Sequence, residues 1–141
     1  MPDDIRLGAW RAMLTAHAAV VDVLASEMEE ATGLPIGWYD VLLHLRESAG
    51  GRLRMHELAE RVLLSRSATT RFVERMEAAG LVDRTPCDTD RRGTQVTMTK
   101  KGAEAFAAAA PFHLAGIRRH FMDHLSDDEA AMIVEVMTRV L

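Results

Sequence analysis

Basic side chains crowd the middle of this 141-residue chain. Between Arg52 and Lys101 there are 11 lysines and arginines against 7 acidic residues, which gives this segment a net charge of +4. The flanks hold 6 basic and 14 acidic residues, so the net charge of the whole chain is -4. Clustered cations are the groups that neutralise phosphates, so the segment favours a polyanionic partner despite the acidic total. An ordinary solvated helix surface is the alternative explanation.

The one cysteine, Cys87, has few chemical options. It cannot form an intrachain disulfide or complete a cysteine metal cage by itself. A redox sensor is conceivable, but sensing needs a depressed thiol pKa and usually a second, resolving cysteine. The interpretation that Cys87 has no sensing role is therefore the stronger one.

Histidines offer a second sensing option. His120 and His124 lie four residues apart with Asp123 between them, and His44 lies on another predicted helix, so a zinc-responsive site is an alternative. Histidines four apart also occur by chance, so we predict no metal site and no cofactor. The sequence shows no glycine-rich phosphate loop and no nucleophile with a matching base, so we expect no enzyme activity.

The composition predicts a single, mainly helical domain. Apolar residues make up 48% of the chain and aromatic residues only 5%, with nine methionines. No apolar run approaches the roughly 20 residues that span a bilayer, and the first residues lack the order of a signal peptide. We therefore expect a cytoplasmic protein without membrane association.

Hydrophobic periodicity places several helices along the chain. The first runs from Ile5 to about Ala31 and is too long for so small a core, which indicates that a second chain covers part of it. Further helices are predicted over 38–47, 55–62 and from the N-cap Ser65 to about Ala79. The last third is helical, with a kink or break near His113 caused by Pro111 and a capping box that starts at Ser126.

Two short helices in succession are followed by a change of period. Around Leu81–Arg84 and Thr94–Thr99 the pattern alternates, which predicts two strands of a hairpin with a polar tip. A helix-turn-helix followed at once by a hairpin is typical of a winged helix-turn-helix. The predicted fold class is thus mainly α with a small β-hairpin wing, flanked by N- and C-terminal helices.

Four segments resemble the MarR family of bacterial transcription regulators. They are ELAER (57–61), LLSRSATTRFVERMEAAGLV (63–82), R-x-P-C-x-x-D-R-R-G (84–93) and MTKKG (98–102). The Asp-Arg-Arg-Gly tip, placed soon after a glycine-closed helix, is the most specific part.

The resemblance implies one MarR-type domain over 1–141, with dimerisation helices at 1–35 and 103–141 and a DNA-binding lobe at 36–102. It also implies a homodimer on double-stranded DNA that is often a repressor, released from a pseudo-palindromic operator by a small, phenolic or anionic ligand. A winged-helix module that binds protein instead of DNA is the alternative from another class.

The same resemblance assigns site residues, and groove chemistry agrees with it. The N-terminal turns of a recognition helix reach base edges, so we expect Arg66, Ser67, Thr69 and Thr70 to read bases. Arg71 and Arg75 lie one and two turns further on, where phosphates are met. An intrahelical pair of Arg75 with Glu77, or with the acidic neighbours of Arg71, is the alternative. In the wing, Arg91 and Arg92 suit a minor groove, and Asp90 is expected to hold a neighbouring arginine.

The effector pocket of relatives lies between the DNA-binding lobe and the dimerisation helices. Five residues are candidates for lining it here: Trp10, His17, Trp38, His44 and Arg46.

Overall fold

The computed structural model describes residues 4–62, 65–87 and 93–141. Within these ranges the chain forms six α-helices and three short strands, which confirms the predicted fold class. The elements are α1 (Ile5–Thr32), α2 (Ile36–Arg46), β1 (Arg52–Arg54), α3 (Met55–Val62), α4 (Arg66–Ala78), β2 (Val82–Pro86), β3 (Thr94–Met98), α5 (Lys100–His120) and α6 (Asp127–Val140).

Helix α1 has the predicted bounds to within a residue. Asp4 accepts a hydrogen bond from the Arg6 amide at 2.9 Å, and Gly33 ends the helix with φ 73°, a left-handed conformation that glycine adopts without strain. Only Leu24 and Met28 of this helix are buried. By length and composition alone α1 is a helix that could cross a membrane, which by itself is weak evidence of a membrane span.

One apolar core joins the winged lobe to the two long helices. Helix α2 starts at Ile36, two residues earlier than predicted, because Pro35 already holds the extended conformation of an N-cap residue. The core is built from residues of α1, α2, α3, α4, the sheet and α5: Met28, Tyr39, Leu42, Leu45, Leu58, Val73, Met76, Val82, Val96 and Phe106.

The wing is part of a three-stranded antiparallel sheet in the order β1-β3-β2. Strand β1 pairs with β3 so that Leu53 lies opposite Val96. On the other side of β3, Arg84 of β2 also lies opposite Val96, which is fully buried. The central strand therefore fixes the base of the wing to the helical lobe.

The sequence predicts a kink or break near His113; helix α5 is continuous from Lys100 to His120, so the break is wrong. Proline removes one backbone hydrogen bond and is tolerated where packing on both sides holds the helix together. Here Phe106 and Ala109 are buried before Pro111 and Gly116 is buried after it. Tertiary contacts thus outweigh the local preference of proline.

Helix α6 begins with the predicted capping box. The Ser126 hydroxyl accepts from the Glu129 amide at 3.2 Å, and the Glu129 carboxylate accepts from the Ser126 amide at 2.8 Å. No residue of this helix is buried, and Ile133, Val134, Met137 and Val140 are exposed. A helix of this length is marginal in water without packing partners.

Candidate nucleic-acid interface

Ser65 starts α4 as an N-cap. Its hydroxyl accepts from the Ala68 amide at 3.1 Å and lies 3.2 Å from the hydroxyl of Ser67. Val73 and Met76 bury the inner face of the helix. The cap and these two anchors fix both the starting point and the rotation of α4, and so decide which side chains face outward.

The outward face of α4 carries most of the predicted DNA contacts. Arg66, Ser67, Arg71 and Arg75 are all exposed. Thr70 is half-buried, and its hydroxyl donates to the Arg66 carbonyl at 2.9 Å. The helix therefore presents three arginines and a serine to solvent.

Thr69 does not belong to this face. It is fully buried, and its hydroxyl donates to the Ser65 carbonyl oxygen at 2.9 Å. A buried hydroxyl that is already bonded within its own helix cannot reach a base edge. We therefore correct the predicted set of base readers by removing Thr69, which closes the first turn of α4 instead.

Arg75 lies against the aromatic ring of Phe72 in place of a carboxylate. Its guanidinium carbon is 5.2 Å from the ring centroid, and its Nε donates to the Arg71 carbonyl at 3.4 Å. The alternative pairing with Glu77 is not observed, because the described contacts of Glu77 are with Arg84. A stacked guanidinium keeps its charge while its direction is restrained.

Arg84, at the base of the wing, is a residue that the sequence analysis did not assign. Its Nη2 and Nε lie 3.0 and 3.2 Å from Oε1 of Glu77, and its Nη1 lies 3.5 Å from Oε1 of Glu74. The hydrogen bonds from Arg84 hold the pKa of the Glu77 carboxyl below its usual range. The seven-residue separation of Glu77 and Arg84 across a helix-to-strand turn gives no periodic signal in the sequence.

The tip of the wing, with Asp90, Arg91 and Arg92, lies outside the described residues. Next to it, the Cys87 amide donates to the Gly93 carbonyl at 3.0 Å. Cys87 is buried, which shields a thiol from oxidants and disfavours the redox-sensing alternative.

The five predicted pocket residues are not brought together within one chain. Trp10 and His17 lie on the exposed stretch 5–19 of α1. Trp38 packs against the core, the His44 imidazole is 3.5 Å from the Asp40 carboxylate, and Arg46 lies 5.2 Å above the ring of Phe106. Of the five, Arg46 is the residue with a described contact to α5, through Phe106.

Three aromatic rings between α2 and α5, those of Tyr39, Phe106 and His113, were missed by the sequence analysis. Tyr39 stacks on Phe106 with centroids 4.9 Å apart and meets the His113 ring at 4.6 Å. Nδ1 of His113 is buried with no hydrogen-bond partner among the described residues, and burial lowers the pKa of its imidazole. The bounds of α5 could have suggested Phe106 and His113, seven residues apart and so on one face.

His120 bonds a carboxylate of α1. Its Nε2 is 2.7 Å from Oε1 of Glu27, and Arg119 reaches Oε2 of the same residue at 2.8 Å. The pKa of the Glu27 carboxyl is lowered, first by the His120 hydrogen bond and then by Arg119. In the part of the chain that the structure describes, no three histidine, cysteine or acidic side chains are grouped so as to hold a metal.

An exposed cationic helix beside a sheet-anchored hairpin defines a winged helix-turn-helix of the nucleic-acid-binding class. A sequence model described as "MarR family" matches residues 32–93. An HTH-type transcriptional regulator from Bacillus cereus, described as uncharacterized, is 30% identical over 117 residues, which are 83% of this chain and 76% of the relative.

Solved structures extend the similarity over nearly the whole chain. AbsC, a MarR family transcriptional regulator from Streptomyces coelicolor, is 33% identical with a TM-score of 0.91 over 99% of this chain and 94% of its own. Sco3205, a MarR family regulator from the same organism solved in complex with DNA, is 32% identical with a TM-score of 0.88 over 94% and 83%. The chain belongs to the MarR family of DNA-binding transcriptional regulators.

Proposed function

We propose that this protein is a homodimeric, ligand-responsive repressor that acts in the cytoplasm on a pseudo-palindromic operator. The observation that carries the proposal is the exposed face of α4, where Arg66, Ser67, Arg71 and Arg75 stand clear of the core. Each major groove accepts one such helix. Membership of a family whose member Sco3205 was solved with DNA supports the assignment.

The dimer is supported by apolar surface that one chain cannot cover. Ile5, Trp10 and Leu14 of α1 are between 48% and 85% exposed, and Val140 of α6 is 77% exposed. An open groove of about 520 Å³ beside α6 is lined by Leu125, Met132, Ile133 and two acidic residues. Because isolated apolar stripes of this length are unfavourable in water, we assign them to a second copy of the chain and not to a membrane.

The effector is proposed to bind where α2 faces α5. In this region Trp38, His44 and Arg46 offer apolar surface, an imidazole and a cation, which suits a small aromatic or anionic molecule. Trp10 and His17 can join them only by being supplied from α1 of the second subunit. The pocket would therefore be completed by dimerisation.

The wing is proposed to bind the minor groove through Arg91 and Arg92, with Asp90 as their support. A·T-rich minor grooves are narrow and carry a more negative potential, which attracts inserted arginine. A two-fold dimer places its recognition helices in successive major grooves, so half-sites are expected about 10 base pairs apart with the wings over the flanks.

The test starts with selection of genomic DNA fragments by the purified protein and continues with an operator library. The Arg66→Ala change should cost about 1–3 kcal/mol of binding free energy and relax the preference at one base pair. The Arg71→Ala variant is the matched control, because loss of a phosphate contact weakens all sequences about equally. Selection of no fragment would contradict DNA binding. Uniform losses in both variants would contradict the base-reading role of Arg66.

A further inference from the structure

The base of the wing is joined to the end of the recognition helix by a charged cluster. We call Arg84, Glu77 and Glu74 the wing-base cluster. Besides the three side-chain contacts of its guanidinium, Arg84 donates its backbone amide to Oε2 of Glu77 at 3.0 Å. Both oxygens of Glu77 are therefore used by one residue of β2, and the strand is bonded to the helix through main chain and side chain together.

Arg84 is a poor candidate for a DNA contact. Its side chain is 31% exposed and bonded to two carboxylates, so the cluster as a whole carries a charge of -1. Phosphates attract cations whose charge is not already neutralised. Arg66 and Arg71, by contrast, are exposed on the free face of α4.

The position of the cluster suits a role in orientation. Glu77 lies in the last turn of α4, and Arg84 lies in the middle of β2, opposite Val96 of the central strand. In DNA binding of this type a helix enters the major groove while the wing reaches the adjacent minor groove, so the angle between the two elements decides whether both fit at once. A guanidinium with several donors in one plane holds such an angle better than a single ammonium does.

We propose that Arg84 is a positioning residue that sets the angle of the wing relative to the recognition helix by bonding Glu77, and thereby prepares both for simultaneous groove binding. The inference rests on the proposed DNA-binding function. The Arg84–Glu77 pair is only partly buried, and ion pairs near the surface contribute little to folding stability, so the main effect is expected in DNA binding.

Whether Glu77→Gln weakens or tightens operator binding distinguishes a role in orientation from a purely electrostatic effect. Removing a carboxylate from the DNA-binding lobe reduces repulsion of phosphates, so electrostatics alone predicts equal or tighter binding. Orientation predicts weaker binding, by about fivefold, and loss of the preference for A·T-rich flanks. Glu60→Gln is the matched control, because Glu60 is an exposed carboxylate on α3 of the same lobe. Operator affinity is measured on probes with A·T-rich and with G·C-rich flanks.

A double-mutant cycle with Arg84→Gln tests the partnership itself. If the two residues act together, the double variant binds the operator no more weakly than the more weakly binding single variant does. If they act independently, the fold losses of affinity of the two single variants multiply in the double variant. Arg84→Lys keeps the charge but loses the planar fork, so it should show the same loss of flank preference. Thermal unfolding of each variant checks that the fold is intact.

Three outcomes would overturn the proposal: tighter binding by Glu77→Gln, equal losses on both flanks, or multiplied losses in the cycle. If the wild-type protein binds no DNA, the proposed function fails. Amide hydrogen exchange then tests separately whether Glu77 holds Arg84 in place. The Arg84 amide should exchange faster in Glu77→Gln than in Glu60→Gln, and equal rates would refute the positioning role.

Discussion

The imidazole of His113 is held in an environment that favours its neutral form. Its Nδ1 is buried without a hydrogen-bond partner among the described residues, and its ring packs against Tyr39. Burial lowers the pKa of His113, and the nearby charge of Asp40 opposes that effect only in part. The unfolded chain therefore takes up a proton at this residue at a higher pH than the folded chain does.

This difference predicts a loss of stability on mild acidification. As the pH falls from about 7.5 through 6.5, the unfolded state gains a proton at His113 that the folded state does not, so the free energy of unfolding decreases. The loss levels off below the lowered pKa of the folded state. The measurement is urea unfolding at a series of pH values.

The matched variant for this prediction is His113→Phe. It keeps a ring beside Tyr39 and removes the titrating group, and no described hydrogen bond is lost. The other five histidines are common to both proteins, so the difference between the two pH profiles isolates His113. Parallel profiles for wild type and variant would refute the assignment.

Part of the nucleic-acid interface could be predicted from residue types alone, whereas the part that depends on tertiary packing could not. Arg66, Ser67 and Arg71 were expected to be exposed on the recognition helix, and they are. Thr69 is polar but fully buried, and burial is tolerated because its hydroxyl donates to the Ser65 carbonyl. The bond between Arg84 and Glu77 depends on how a strand turns back on a helix, which no local pattern encodes.

At the scale of elements, the start of α5 is held against the turn that follows α4. The Thr99 hydroxyl donates to the Gly80 carbonyl at 2.7 Å and accepts from the Gly102 amide at 3.0 Å, so it caps the helix and anchors it at once. A Cβ at Gly102 would overlap the carbonyl oxygen of Leu81. This close backbone approach explains why a glycine occupies the first turn of a helix.

The Gly102→Ala variant should therefore be destabilised, by about 2 kcal/mol or more, because backbone atoms must move to admit the methyl group. Gly8→Ala is the comparison: within one chain its Cβ would lie within 4 Å of no described atom beyond its own helix turn, and alanine favours a helix by about 0.5–1 kcal/mol over glycine. Glycine-to-alanine substitution is therefore expected to lower the free energy of unfolding at Gly102 and to raise it at Gly8. Thermal unfolding measures both, and a Gly102→Ala protein as stable as wild type would contradict the close approach.

Element boundaries were predictable where caps mark them. Asp4, Gly33 and Ser126 carry their own local signals, and the structure has helix ends at all three. Two features depend on tertiary contacts instead. The pairing of β1 with β3 needs a partner more than 40 residues away, and the continuity of α5 through Pro111 needs packing on both sides of it. Local patterns contain neither contact.

At the scale of the whole molecule, α1 and α6 are the parts that the single chain leaves unfinished. Residues 5–19 are exposed throughout, and α6 buries no residue although its sequence has an apolar stripe. A 14-residue helix has little stability of its own in water. The capping box that starts α6 is worth about 1 kcal/mol, too little to hold the helix without a packing partner. In the proposed dimer, a second copy that interlocks with these helices supplies the missing partner.

A charge placed on the apolar stripe of α6 tests this assembly. Ile133→Glu would put a carboxylate into the proposed subunit interface, where burying it without a partner costs several kcal/mol. We expect wild type to scatter light as a dimer of 15.6 kDa chains and the variant as a monomer at micromolar concentration. Glu135→Gln is the control, because Glu135 lies on the same helix in an exposed pair with Arg139 and should leave the dimer intact.

Operator binding should differ between the dimeric wild type and the monomeric Ile133→Glu variant. Each monomer keeps a complete recognition helix, since the Ser65 cap and the α4 anchors lie far from α6 in the chain. The Ile133→Glu protein should therefore retain weak binding to a single half-site but lose the gain that comes from two linked helices, which is commonly about 100-fold or more. Truncation after Ser126 should have the same effect. A wild-type protein that scatters as a monomer, or an Ile133→Glu protein that binds the full operator as tightly as wild type, would refute the dimer.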